Sequence, residues 1–368
     1  MSMAGISRQG EFREKISSFL KKKLELLEKE YGTDSNEYQA IYLQYKKQDF
    51  ENEEQTEDNR RHWEADLSID SDHHIRGVER LYTQSAVIEP TMICAAHCRY
   101  CLRANYEIFT LSDEEIIAIA QYCGSHNVRE ELREVLVTGG DPFIVPKKLK
   151  HLVESLIKYA PNIKLVRIGT RLPLHDPFRI DDNIYEIFKR NGDKVQFEIA
   201  TQINHEIELF PEVIEVFKRL QSLGLKVYSQ NVLLKNVNDN IEALTRLYKK
   251  MRDLDIEAHY LFHSVPMRGM HHFRTTVLRG LELAMQLVNS GKISGRVKPM
   301  YALMTDVGKV TLYEGTILKK DNDNYLLVQT SYKYEDRIKL NPNWILPANA
   351  MIDENGYLLV RYLDGNDN

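Results

Sequence analysis

Apolar residues recur at helical spacing from position 11 to about 50, through Phe12, Ile16, Phe19, Leu20, Leu24 and Leu27, then Tyr38, Ile41, Tyr42 and Tyr45. Steps of three and four residues put each run on one helix face, and Gly32 between them predicts a helical hairpin. The acidic "ENEEQTED" that follows reads as a solvated linker. From about 87 to 305 the pattern changes. Short β-branched runs at 87–93, 134–138, 164–169, 194–200, 226–233, 257–262 and 296–304 alternate with amphipathic segments. Ser112 and Glu115 form a capping box that opens one helix. "KKLKHLVESLIKYA" is another, and "PEVIEVFKRLQSLG" a third, closed by Gly224 at its C-cap.

Repeated βα units with nearly continuous apolar strands require a parallel sheet covered by helices. There are too few units for an eight-fold barrel. The prediction is an α/β fold built on an open, partial parallel βα barrel of about six units, with chemistry at the C-terminal strand ends. Beyond 310, "YLLVQTSYKY" and "MIDENGYLLVRYL" alternate with strand period, and Asn355-Gly356 signals a hairpin. The expected organisation is a helical extension and linker over 1–75, the barrel over 76–309, and a small β appendage over 310–368.

Composition narrows the class. The 368 residues are 43% hydrophobic and 28% charged, ordinary for a globular protein. A net charge of −5, with no basic stripe, argues against a constitutive nucleic-acid binder. No apolar run approaches the roughly 20 residues of a membrane span, and the N-terminus lacks a secretory signal. Four cysteines, three of them within eight residues, make no disulfide framework for a chain this size. The expected location is the reducing cytoplasm.

Those three cysteines, Cys94, Cys98 and Cys101, have the spacing C-x3-C-x2-C directly after the first barrel strand. Three thiolates from one loop suit a four-iron cluster whose fourth iron has no protein ligand. An amino acid-like molecule such as S-adenosylmethionine can chelate that open iron through amine and carboxylate, and its sulfonium can accept an electron. A zinc site with His97 as fourth ligand is the alternative, but four ligands so close together would staple no separate segments. Incidental buried cysteines are a third reading, and Cys123 reads as a small core residue. Gly139-Gly140 at a strand end allows close backbone approach to a ligand, and Asp141 offers an ammonium acceptor. A plain βα turn fits the same residues. Gln230 ends a strand with a side chain suited to a carboxylate or ribose, and Arg103 can hold a carboxylate bidentately.

Taken in order, "CRYCLR", "LVTGGDP", "VRIGTRLP", "SQNVLLKNVND" and "HFRT" resemble the lysine 2,3-aminomutase family of radical S-adenosylmethionine enzymes, over roughly 76–309. The resemblance implies a [4Fe-4S] cluster on Cys94, Cys98 and Cys101. It also implies S-adenosylmethionine held by Gly139, Gly140, Asp141 and Gln230, and a substrate carboxylate on Arg103. A flavodoxin- or ferredoxin-like electron donor, a small amino acid substrate and appendages that serve oligomerisation follow from the same resemblance.

The sequence departs from the family in three places. Family aminomutases carry pyridoxal phosphate on a lysine in a glycine-rich loop; the match is Lys309 after Gly308 in "LMTDVGKVTLYEG", where most of the glycines are missing. Of two upstream arginines for the cofactor phosphate, only Arg80 has a counterpart. The aspartate that pairs with a distal ammonium corresponds to Val265, while Asp306 matches a second ammonium-binding aspartate. A buried ammonium without its partner is costly, so the expected substrate is an amino acid other than lysine. Three functions are carried forward: a pyridoxal phosphate-dependent 2,3-aminomutase; a radical mutase, dehydratase or epimerase without that cofactor; and a non-catalytic metal-binding protein.

Overall fold

The computed structural model describes residues 12–52, 67–68, 74–104, 108–267, 269–313 and 315–367. The predicted hairpin is present as α1 (Ser18–Tyr31) and α2 (Asn36–Tyr45), with Ser17 and Ser35 as N-caps. Phe19, Leu20, Leu24, Leu27, Ile41 and Tyr45 are buried in the main core, so the hairpin packs on the barrel and is no free arm. Most of the acidic linker lies outside the described residues. Its first residue corrects the solvated reading: Glu51 is buried and ion-paired with Arg99, because a guanidinium out of water needs a carboxylate beside it.

The barrel is a nine-stranded sheet. Its parallel body is β2 (Ser85–Thr91), β3 (Glu134–Gly139), β4 (Leu165–Gly169), β5 (Gln196–Thr201), β6 (Lys226–Leu233), β7 (Glu257–His263) and β8 (Met300–Thr305), in chain order. Antiparallel strands close both edges, β1 (Val78–Glu79) beside β2 and β9 (Gly308–Thr311) beside β8. Six crossover helices join the parallel strands: α3 (Asp113–Cys123), α4 (Pro146–Tyr159), α5 (Asp182–Asn191), α6 (Pro211–Ser222), α7 (Ile241–Asp253) and α8 (Val277–Asn289). Seven strands with six crossovers match the expected unit count. The Ser112–Glu115 capping box forms with both hydrogen bonds, and Gly224 lies directly beyond the α6 cap. The last strand starts at Met300, later than predicted, because 295–297 is a single helical turn.

Strand alternation separates two faces. Val135, Val137, Val166, Ile168, Ile199 and Val227 pack under the helices against Ile116, Leu149, Leu152, Ile184 and Val213. Each such aliphatic burial contributes roughly 1.5–3 kcal/mol. The other face carries polar side chains: Arg167 donates to Glu134 Oε1 and Ser85 Oγ, both at 3.0 Å. The sheet curls until its edges approach. Lys309 on β9 donates its backbone N–H to the hydroxyl of Tyr82, just after β1, at 3.2 Å.

The β appendage contains β10 (Ile317–Lys320), β11 (Tyr325–Lys333), β12 (Ala350–Ile352) and β13 (Tyr357–Leu363) in the order β10-β11-β13-β12, with the Asn355-Gly356 turn joining the last two strands. It also holds a helix that the strand pattern hid, α9 (Tyr334–Leu340). Arg337 of α9 donates to the carbonyls of Leu81 and Val307, one on each side of the barrel seam. Tyr332 donates to the carbonyl of Lys309. The appendage therefore staples the open edge.

Candidate functional site

The cysteine loop leaves the C-terminal end of β2 and is fixed by backbone on two sides. Gly140 N–H donates to Thr91 O at 2.7 Å and Asp141 N–H to Ile93 O at 2.9 Å. A Cβ on Gly140 would lie 2.4 Å from Ile93 O, and one on Gly139 would lie 2.7 Å from Thr91 O at φ +98°. These glycines let the cysteine loop pack directly against the strand end. The N-terminal arm packs on the outside. Lys15 Nζ donates to Cys94 O at 2.6 Å, and His97 N–H donates to Lys15 O at 2.8 Å. His97 Nδ1 lies 2.8 Å from Arg13 O, with its ring stacked on Phe12. Histidine thus serves the arm, and nothing in this geometry enlists it as a zinc ligand.

The three thiols lie close enough to act on one another. Burial pushes the Cys94 thiol well up, with Asp141, Cys101 and Cys98 adding to the rise. Burial, reinforced by Cys98, brings Cys101 up to about 11. Three thiolates crowded out of water need compensating positive charge, which iron supplies. Among the described residues no three ligating side chains converge tightly enough to share one ion. A cube is gripped at separate corners, one thiolate per iron, so its ligands stand farther apart than those of a single ion. The donor set fits a cluster. Cys123 lies buried in α3, its thiol pushed up to about 12 by desolvation, as a core residue should be.

Behind Cys98 stands a polar group that the sequence reading passed over. Arg171 Nη1 donates to Cys98 Sγ at 2.8 Å, and His175 Nε2 lies 3.5 Å from the same sulfur. The guanidinium also bonds Tyr100 and Glu208. The only sequence signal was its place two residues beyond a strand end, in "VRIGTRLP".

The predicted residues fall into two groups. Gln230 on β6 is half-buried and in register with Tyr260 of β7, whose ring face lies 4.8 Å from Lys309 Nζ. Tyr82 presents a second ring at 5.5 Å. Burial lowers Lys309 to about 8, with Arg167 adding and Glu134 opposing. Gly308 stays glycine here at φ +124°, since a Cβ would press on the Tyr332 ring at 3.0 Å. Met304, the register partner of Lys309, packs in one apolar cluster with Cys101, Ala104, Val265, Met267 and Met270. Met304 is thus packed between Lys309 and residues of the cysteine loop.

The other predicted residues are engaged elsewhere. Asp141 accepts from Phe143 N, Arg171 N and Thr170 Oγ1 at 2.8–3.1 Å, so its carboxylate ties β3 to β4 and is not the open acceptor expected. Desolvation nevertheless raises it to about 6. Arg103 donates to Glu89 at 2.6 Å and lies 3.5 Å from Glu79. Asp306 accepts from Asn349 of the appendage. Arg80 is spent on Thr83 O and Glu131, behind the sheet's edge.

Comparison with known proteins agrees with this layout. The radical SAM superfamily profile matches residues 88–248, which run from β2 into α7. A protein of Aquifex aeolicus, provisionally named an L-lysine 2,3-aminomutase, is 34% identical over 68% of this chain and 67% of its own. The L-lysine 2,3-aminomutase of Methanococcus maripaludis is 29% identical over 73% of this chain, and the glutamate 2,3-aminomutase of Clostridioides difficile 29% over 69%. The chain spans 63% and 59% of those two relatives, less than two thirds of each. The cysteine loop on the first parallel strand, its glycine clamp and these identities lead to one assignment: the chain belongs to the lysine 2,3-aminomutase family of radical SAM proteins.

Proposed function

We propose that this chain is a radical S-adenosylmethionine enzyme that moves the amino group of an amino acid other than lysine between neighbouring carbons. The carrying observation is Met304, which is in register with Lys309, an amine whose pKa burial lowers, and packs in the apolar clusters that include Cys98 and Cys101. Cys94, Cys98 and Cys101 would hold a [4Fe-4S] cluster. Reduced by a flavodoxin- or ferredoxin-like donor, such a cluster would supply the electron for reductive cleavage of S-adenosylmethionine.

Gly139 and Gly140 hold the cysteine loop at the strand end, and Gln230 offers amide donor and acceptor to S-adenosylmethionine. Asp141 keeps the two strand ends in register. Lys309, partly deprotonated near neutrality, is suited to carry pyridoxal phosphate, which supplies an electron sink for the migrating nitrogen. Tyr82 and Tyr260 flank its amine and exclude water. Val265 and its methionine neighbours form an apolar cluster beside Cys101, which supports a substrate without a distal ammonium. A reading without pyridoxal phosphate draws on Arg80, whose guanidinium is already engaged by Thr83 O and Glu131.

Anaerobic protein loaded with iron, sulfide and pyridoxal phosphate, given an amino acid panel and deuterated S-adenosylmethionine, tests the proposal. Deuterium should enter a β-amino acid formed from a non-cationic substrate. Turnover of lysine alone would contradict the substrate assignment.

A further inference from the structure

We infer that Arg171 is a positioning residue that tunes the cluster through Cys98, raising its reduction potential, while Glu208 limits how far. The inference rests on the cluster proposed above. A buried guanidinium is costly to desolvate, and this one is aimed. Its Nη1 lies 2.8 Å from Cys98 Sγ, and its Nη2 is held by the buried carboxylate of Glu208. Glu208 is itself oriented by the backbone N–H groups of Asn204 and His205, at 2.7 and 3.0 Å. Tyr100 takes a further bond and is fixed from its other side by Asn204 Nδ2 at 2.8 Å. The Arg171 backbone N–H is anchored on Asp141 at 2.8 Å. The side chain therefore has little room to turn elsewhere.

The three thiols are not equivalent. Cys101 takes a backbone N–H from Arg103 and feels Arg103 and Arg171 through space, whereas Cys98 accepts a hydrogen bond directly from the Arg171 guanidinium, with the His175 ring nitrogen at 3.5 Å as a second polar neighbour. An N–H donor and a positive charge both draw electron density from a ligating sulfur. They favour the cluster form that has gained one electron, which raises the potential. The Glu208 carboxylate opposes this by neutralising the guanidinium.

The test is a dye-mediated potentiometric titration of anaerobically reconstituted full-length protein. Dithionite supplies one electron per cluster, and the signal is read by electron paramagnetic resonance. R171Q should lower the reduction equilibrium constant at least tenfold, about 59 mV for a one-electron couple. E208Q should shift it in the opposite direction, and R171K should fall between R171Q and wild type. Four irons per chain with an unmoved midpoint in R171Q, or shifts of the same sign in R171Q and E208Q, would overturn the inference. If R171Q holds no iron, E208Q decides; if neither does, the pair is structural and the inference fails. Wild-type protein that cannot hold four irons would instead defeat the cluster proposal, before any shift is read.

Discussion

The cysteine loop and the Lys309 hairpin meet through Met304, yet they are built by different means. The loop is made from neighbours in sequence: three thiols in one turn, clamped by a Gly-Gly strand end whose backbone lies against positions 91–93. Lys309 is placed by residues scattered over the chain. Tyr82 comes from the first edge of the sheet, Tyr260 from β7, and Tyr332 and Arg337 from the appendage. Function carried by a short motif is built into local backbone. Function carried by one residue depends on whether distant segments close around it.

Four expected outcomes would break or sharpen that contrast. The largest concerns the thiols. Replacing Cys94, Cys98 or Cys101 with Ala should each drop bound iron to background, while C123A should keep it and cost about 1 kcal/mol of stability. Iron and sulfide analysis beside a denaturant melt checks both. Next is G140A, whose new methyl must push the cysteine loop aside. Overpacking of this kind costs roughly 1–3 kcal/mol, and iron loading should fall with it. A fully loaded G140A protein would show that the clamp is dispensable.

On the other side, R337M leaves the Leu81 and Val307 carbonyls without their shared donor, at a cost of roughly 1–3 kcal/mol. Y332F should cost about 1 kcal/mol. Both should leave iron content unchanged, because they loosen only the seam. The smallest effect is a pH profile. Borohydride trapping of pyridoxal phosphate on Lys309 follows the neutral amine, so labelling should rise with pH and reach half its limit near 8. An ordinary lysine would do so near 10.4. K309A should abolish the label; a midpoint at the ordinary value would show that the amine lies in water.

The same contrast explains what could be read from sequence. Strand and helix periods gave the half-barrel, the hairpin and the cap at Ser112, since each is a local pattern repeated over a long stretch. The cysteine spacing gave the three candidate cluster ligands for the same reason. The partners of Asp141 could not be read from its neighbours alone, because two of its donors, Thr170 and Arg171, lie just past β4, some 30 positions away. Arg103 looked open because Glu79 and Glu89 reach it only once the sheet is paired. Arg171 was visible in a quoted motif, but its aim at Cys98 spans 73 positions. The helix α9 was missed because it is short and set between strong strand signals.

The most direct test of the central claim is the cut of S-adenosylmethionine itself. Protein purified without oxygen, replete with four irons and sulfide, should on reduction by dithionite release methionine and 5′-deoxyadenosine, and lose that reaction when Cys98 is replaced by Ala. Loaded protein that leaves S-adenosylmethionine whole under these conditions would contradict the account.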